Sequence, residues 1–404
     1  MKFGRNWGRL GMKSEWTIKK ISEIAEINPR ESIKKGIVAK KIPMDVLQPF
    51  TRDVPSFQYE VFKGGTKFRN KDTIMARITP CLENGKIAQI GCLDPGEVGF
   101  GSTEYIVFRA REGTDPDFLY YLIRSPLVRE PSIKSMVGSS GRQRVQTNVV
   151  ADLQIAVPGI VEQKCIGDLL KVLDDKIQLN TKINKNLEAL EQAYFCNLFI
   201  TNANSNWRYG TLSDLGTIVG GGTPSKKHPE YYAKYDIPWI TPKDLSIDRS
   251  KFISRGENDI SELGFSNSSV TKMPKGTILF SSRAPIGYIA IALNTVTTNQ
   301  GFKSVIPNEN VGSAFMYFLL KQALPTIEGM ASGSTFKEIS GSGMKSVPVV
   351  IPDDETLQNF SEFCIPLFEQ QIILEAENRR LSSVRDILLP KLMSGKIDVA
   401  NIDL

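Results

Sequence analysis

The sequence predicts an α+β fold in which two repeated domains are separated by two long helices, packed as an antiparallel coiled coil with pseudo-twofold symmetry. Three observations predict it. Blocks of sequence recur about 190–200 residues apart. Each series of blocks ends at a proline, Pro158 or Pro352, followed by apolar residues at alternating spacings of three and four. Charge alternates along the 404 residues with the same boundaries. Residues 1–157 hold 25 basic against 17 acidic side chains, 158–200 hold 5 against 6, 201–352 hold 15 against 11, and 353–404 hold 5 against 10. Two basic segments therefore alternate with two acidic ones, which suits two nucleic-acid-facing modules separated by elements that face something else. The boundaries are an N-terminal extension at 1–14, a first domain at 15–157, a first spacer helix at 158–200, a second domain at 201–352, a second spacer helix at 353–392 and a tail at 393–404.

The first domain opens at "EWTIKKISEIAEINP" (Glu15 to Pro29), which parallels "NWRYGTLSDLGTIVGGGTP" (Asn206 to Pro224). Each starts at a Trp, runs through a short amphipathic segment and ends in a proline loop. "KDTIMARITPCLENGKIAQI" then parallels "KGTILFSSRAPIGYIAIAL": a turn, a β-rich run, an Arg before a proline loop, and a second β-rich run. "DFLYYLIRS" parallels "AFMYFLLKQ", an apolar helical stretch. "GSSGRQRVQTNVVADLQIAVP" (Gly138 to Pro158) parallels "SGSTFKEISGSGMKSVPVVIP" (Ser332 to Pro352) from end to end. Lengths between the blocks differ, so the halves share a scaffold and not their loops.

The first helical seam is predicted at Ile166, Leu169, Leu173, Ile177, Asn180, Ile183, Leu187, Leu190 and Tyr194. The second is predicted at Leu367, Gln370, Leu374, Leu381, Val384 and Leu388. Asn180, Gln370 and Glu377 fall where apolar residues belong; such residues either fix register from a buried position or lie at a solvated edge. Pro366 predicts a helix start near Leu367 or a kink, and Pro390 an end or kink before "KLMSGKI". The first helix leads from one domain to the other. Pseudo-twofold symmetry sends the second helix back, so the two pair antiparallel. A helix of ~40 residues spans ~60 Å.

Catalytic chemistry is not evident. The five cysteines include no CxxC pair, and the single histidine, His228, sits beside Pro229 in a surface loop. No metal site and no catalytic residue is assigned. Gly220, Gly221 and Gly222 resemble a phosphate cradle, but no GK[ST] follows and GxGxxG is not met. GxSxG is missing, and "NPR" at Asn28 to Arg30 lacks the second proline and the aromatic of an adenine methyltransferase motif. Neither a signal-peptide pattern nor an apolar run of ~18 residues occurs, so a cytoplasmic location is expected.

Recognition chemistry remains. Arg77 and Arg283 are placed at equivalent proline-loop positions, and Arg binds guanine O6 and N7 or phosphate. Asn84, Gln143, Asn299, Gln300 and Lys303 are candidates of the same kind, with Thr79 and Lys86 beside them. Arg142, Gln143 and Arg144 are set opposite Thr335, Phe336 and Lys337, unlike residues at matched positions, as expected of two readers with different targets. Thr223, Ser225, Lys226 and Lys227 follow the glycines and are candidates for contact with a DNA backbone.

The blocks "GGGTPSKKHPEYYAKYDIPWITPKDL", "KGTILFSSRAPIGYIAI", "TNQGFK", "SGSTFKEIS" and "LLPKLMSGKI", in this order, resemble the specificity subunit of type I restriction–modification systems. "ARITPCLENGKIAQI" and "GFGSTEYIVF" are a looser variant in the first half. The resemblance implies two target recognition domains, each a mixed, curved β-sheet with helices, and each reading one half of a split, asymmetric DNA site. It implies helices that set the gap and hold two methyltransferase subunits, with endonuclease and translocase subunits completing the assembly. S-adenosylmethionine, ATP and magnesium would belong to those partners, and this chain would carry no cofactor and no activity. The alternatives are a coiled-coil scaffold joining two protein-binding modules without DNA, and the specificity subunit of a related methyltransferase-only system.

Overall fold

The computed structural model describes residues 15–139, 141–333 and 337–399. The predicted extension at 1–14, candidate Thr335 and residues 400–404 of the tail lie outside the described residues. The chain divides into two compact units, Met1–Asn180 with Glu377–Leu404, and Thr181–Ala376. Four principal helices are α1 (Pro116–Arg124), α2 (Ile160–Cys196), α3 (Gly312–Met330) and α4 (Asp354–Met393). Each unit thus extends past the predicted domain ends and takes part of both long helices, α2 and α4.

In the first unit, Thr17–Lys20 pairs antiparallel with Gln154–Val157 where the chain enters α2. One four-stranded antiparallel sheet runs in the order Ala25–Ile27, Tyr105–Ala110, Thr73–Ala76, Ile87–Gln89. A second runs Gln58–Val61, Val38–Ile42, Gly99–Gly101, Thr66–Phe68, and its central pair is parallel. The second unit repeats this. Arg208–Thr211 pairs with Pro348–Ile351. Gly216–Gly220, Lys303–Pro307, Ile278–Phe280, Ile289–Ala292 and Phe252–Ile253 form a five-stranded sheet. In the smaller sheet, Ile237–Ile240 and Thr297–Thr298 again pair parallel. The repeat reaches side chains. Trp16 Nε1 donates to Glu162 Oε1 at 3.1 Å, and Trp207 Nε1 donates to Asp353 Oδ2 at 2.6 Å. Each Trp ties its opening ribbon to the start of a long helix.

The matched apolar helices fill the cores. Helix α1 starts where Asp115 caps Asp117 N and Phe118 N with Pro116 in its first turn. Phe118, Leu119, Tyr120, Tyr121, Leu122 and Ile123 are fully buried, and α3 buries Phe315, Met316 and Phe318. Each such apolar side chain contributes roughly 1.5–3 kcal/mol by burial.

Within each unit the long helices run antiparallel. In the first, Asp174 of α2 meets Arg385 of α4 at 2.5 Å, and Asn180 Nδ2 donates to Glu377 Oε2 at 2.8 Å and Asn378 Oδ1 at 3.0 Å. In the second, Gln371 Nε2 donates to Asn184 O at 3.3 Å, and Tyr194 lies against Phe363 with ring centroids 4.4 Å apart. The predicted seam is corrected in part. Ile166, Leu169, Asn180 and Leu374 are buried; Leu173, Ile177, Leu187, Tyr194, Leu367, Leu381 and Leu388 are half-buried. Ile183, Leu190, Gln370 and Val384 are exposed, and their places inside are taken by Leu170, Asp174, Glu191, Phe195, Gln371, Arg385 and Leu389. The inward stripe is polar at several levels because it pairs with polar groups of the partner helix and, at Glu191 and Gln371, with Lys251 of the domain, so apolar spacing misplaces it by one residue. The helix start predicted near Leu367 and the end predicted near Pro390 do not occur: α4 runs from Asp354 to Met393. Pro366 is exposed, so the carbonyl it frees is open to water.

Equivalent cations fix each domain to its helices. Arg52 O accepts from Gln89 N at 2.9 Å and Lys251 O from Ile291 N at 2.8 Å, so the two residues share one place in the repeat. Arg52 Nη2 reaches Asp175 of α2 at 2.6 Å. Lys251 Nζ, 4% exposed, pairs with the fully buried Glu191 of α2, and hydrogen-bonds Gln371 of α4 at 2.9 Å. The Phe368 ring lies 4.7 Å from the same ammonium. Burial pulls the Lys251 amine below its usual range and pushes the Glu191 carboxyl above its own, both against the attraction between them. Losing one partner leaves a buried charge. Lys251→Met should therefore lower stability by about 3–5 kcal/mol in urea denaturation, while Lys251→Met with Glu191→Leu should lose much less. Equal losses would show that the pair is not coupled.

Candidate nucleic-acid interface

The candidate residues cluster at one place in each unit: the proline loop after the third sheet strand, together with the segment that bridges back to it. In the first unit, Ile78 bridges Arg144, and Val145 N donates to Arg77 O at 2.8 Å. In the second, Arg283 bridges Glu338, and Ile339 N donates to Ser282 O at 3.0 Å. Both loops hold a cis proline, Thr79–Pro80 and Ala284–Pro285. These pairings correct two sequence alignments. Arg77 is equivalent to Ser282, and Arg283 to Ile78. Arg144 stands opposite Glu338 rather than Lys337, which shifts Gln143 to face Lys337. The proline loops differ by one residue in length between Arg and Pro, and a side-chain match across that difference does not preserve strand register.

The structure brings Arg77, Arg144, Thr79 and Gln143 together in the first unit. Thr79 N donates to Gln143 O at 3.0 Å. Arg144 grips Glu104 through Nε at 3.0 Å and Nη2 at 2.7 Å, and Arg77 Nε lies 3.6 Å from the same carboxylate. Arg144 holds the Glu104 carboxyl below its ordinary range. Lys86 is not free: its Nζ donates to Met44 O at 2.8 Å. Asn84 and Arg142 are exposed. In the second unit, Arg283 Nε donates to Glu338 Oε2 at 2.8 Å, and Lys303 Nζ lies 3.7 Å from Glu338 Oε1. Lys337 is exposed. Sequence reasoning missed Glu104 and Glu338. Register in the Gly138–Pro158 and Ser332–Pro352 blocks sets Glu338 opposite Arg144 and was the available signal for that one. Nothing local marks Glu104.

The glycine run is closed by neighbouring backbone. Gly222 N donates to Thr298 O at 2.9 Å, and Trp239 Nε1 donates to Gly222 O at 3.0 Å. Thr223 Oγ1 bonds Gln300 Oε1, and Asn299 Oδ1 accepts from Gly301 N at 2.9 Å. A Cβ on Gly221 would sit 1.9 Å from Asn299 O. The glycine is required for close backbone approach, and its amides do not form an open cradle. Past it, Ser225 Oγ accepts from Lys227 N at 3.4 Å, and Lys226 and Lys227 are exposed. His228 Nδ1 lies 3.0 Å from Glu230 Oε1, with its ring stacked on Tyr231. Among the described residues, no group of three or more His, Cys, Asp and Glu is placed to hold a metal ion, and no helix is long and apolar enough to cross a membrane.

Two copies of one α+β domain, each carrying cations around a carboxylate at its proline loop and each tied to the start of a long helix, define a tandem recognition scaffold. The family comparison is specific: residues 13–189 and 204–381 each match the type I restriction modification DNA specificity domain, and the chain belongs to that family. The MjaIX specificity subunit of Methanocaldococcus jannaschii is 45% identical over 158 residues, covering 39% of this chain and 36% of that relative. The HindI specificity subunit of Haemophilus influenzae is 26% identical over 358 residues, covering 70% of this chain and 77% of that one. In fold, the type I restriction–modification S subunit of M. genitalium is similar at a TM-score of 0.56 and 17% identity, covering 95% of this chain and 98% of that one.

The glycine geometry sets a stability contrast. Gly221→Ala should cost more than about 2 kcal/mol, because a backbone carbonyl blocks the methyl group. Gly220→Ala, whose Cβ meets nothing within 4 Å, should stay within about 0.5 kcal/mol of wild type. Thermal melts of both variants decide it, and equal melting temperatures would mean that the loop opens.

Proposed function

We propose that the chain is a DNA-binding specificity subunit. Each domain reads one half of a bipartite, asymmetric site, and the long helices set the gap and hold two methyltransferase subunits. Catalysis would rest with those partners and with endonuclease and translocase subunits, which would also bring S-adenosylmethionine, ATP and magnesium. One observation carries this reading most: the same loop in both units gathers basic side chains around a carboxylate, yet with different residues at matched positions. A repeat that served only as a scaffold has no need of that difference. Backbone contact and base readout then divide between residues. The exposed Lys226 and Lys227 suit phosphate, which is sequence-independent, while the clustered loop side chains suit base edges.

The acidic surplus of the helices fits as well. Asp175 and Glu191 face cations of the domains, and Asp174 faces Arg385 of α4. They serve attachment, and the helices have no need to track a phosphate backbone.

Lys226→Ala with Lys227→Ala should weaken binding to all duplexes alike and lower the salt slope by about two in a filter-binding titration. A loss confined to one base position would make the loop a reader, and a wild-type titration with no salt slope would favour the protein-only scaffold. Spacing gives a second test. Matched insertions of seven residues after Asn180 and before Glu377 lengthen both helices by about 10 Å, or about three base pairs. The preferred gap between half-sites should grow accordingly; an unchanged gap would separate the helices from spacing.

A further inference from the structure

In each unit one carboxylate lies between two cations at the recognition loop. The first unit uses Glu104 with Arg144 and Arg77; the second uses Glu338 with Arg283 and Lys303. The residues do not correspond. The place held by Arg144 is held by the acid in the second unit, and that of Ile78 is held by Arg283. The composition is therefore rebuilt from different positions at the same place in the fold. Stability does not account for this, because ion pairs as exposed as these contribute little: Arg144 is 44% exposed and Arg283 48%. Phosphate binding does not account for it either, since a carboxylate in the cluster repels phosphate. The cluster offers donors and an acceptor side by side. Glu104 is held ionised by Arg144, so it accepts and does not donate. Arg77, partly exposed, lies beside the same carboxylate with its Nε 3.6 Å away.

In the major groove, a G·C pair presents the complementary set: acceptors at guanine O6 and N7, and a donor at cytosine N4. Building on the DNA-reading function proposed above, we infer that each unit reads one G·C pair through its arginine–glutamate pair, with the guanidinium donating to guanine and the carboxylate accepting from cytosine. Glu104 and Glu338 are then specificity-determining residues, one for each half-site.

Selection from a randomised duplex pool by the purified full-length chain, followed by sequencing, tests this. The wild type should retain two half-sites, each with a required G·C pair. E104Q adds a donor where only an acceptor stood, and should reduce the preference for that pair roughly tenfold or more in one half-site alone. R144K, which keeps the charge but loses the fork, should affect the same pair. E338Q should act on the other half-site. The untouched half-site reports folding in each variant, because a misfolded unit would lose its whole half-site and not one pair. A half-site without a G·C pair, or a motif unmoved by both E104Q and E338Q, overturns the inference and leaves the DNA-binding function standing. Retention of no sequence at all by the wild type overturns that function and this inference with it.

Discussion

The organisation of this chain depends on charge buried between each recognition domain and the two long helices. A β-sheet domain meeting a helix pair through apolar contact alone could slide by a residue or rotate. Lys251 prevents this in the second unit by reaching a carboxylate on one helix, Glu191, and an amide on the other, Gln371. A charge held in a nonpolar interior has one acceptable position, since any displacement strips it of its partner. The first unit solves the same problem with Arg52 on Asp175 and Arg124 on Asp386, while Arg385 on Asp174 joins α4 to α2. These contacts convert a generic helix pair into one with a defined register.

That solution also explains what the sequence shows and what it hides. The two-domain repeat, the matched apolar helices and the two long helices are legible because they recur in order, and the strand ladders repeat as the blocks do. The seam is only half legible. Leucine spacing locates Ile166 and Leu169, then fails at Asp174, Glu191 and Arg385, where the buried residue is charged. Hydrophobic periodicity assumes that the inside is apolar, and here the inside holds the Asp174–Arg385 pair between the helices and the Glu191 tie to Lys251. Pro366 misleads for a related reason: its cost depends on which side of the helix it occupies, which local sequence does not state.

The candidate interface was legible by residue type and not by register. Arg77, Arg144, Arg283 and Lys303 do gather at the proline loops. Glu104 was invisible, since it comes from the turn before Tyr105–Ala110 and no local pattern joins it to Arg144. Acidic residues are usually discounted in a search for DNA-binding surfaces. Here the acid orders the arginines and limits what they can meet, so a cluster with lower net charge has a more defined pattern of donors and acceptors. The glycine run shows the converse error, in which a composition suited to phosphate proves to be a backbone-packing device around Asn299.

The division of α4 between the units has a consequence for synthesis. Leu389, Leu392 and Met393 lie in the same apolar core as Ile21, Phe118 and Ile166, and Gly395 packs beside the Trp16 ring. The first unit therefore lacks part of its interior until the end of α4 is made. The second unit, whose residues lie within one uninterrupted stretch, can close first. A chain that stops before Leu389 would thus lose part of the core that holds Ile21 and Phe118.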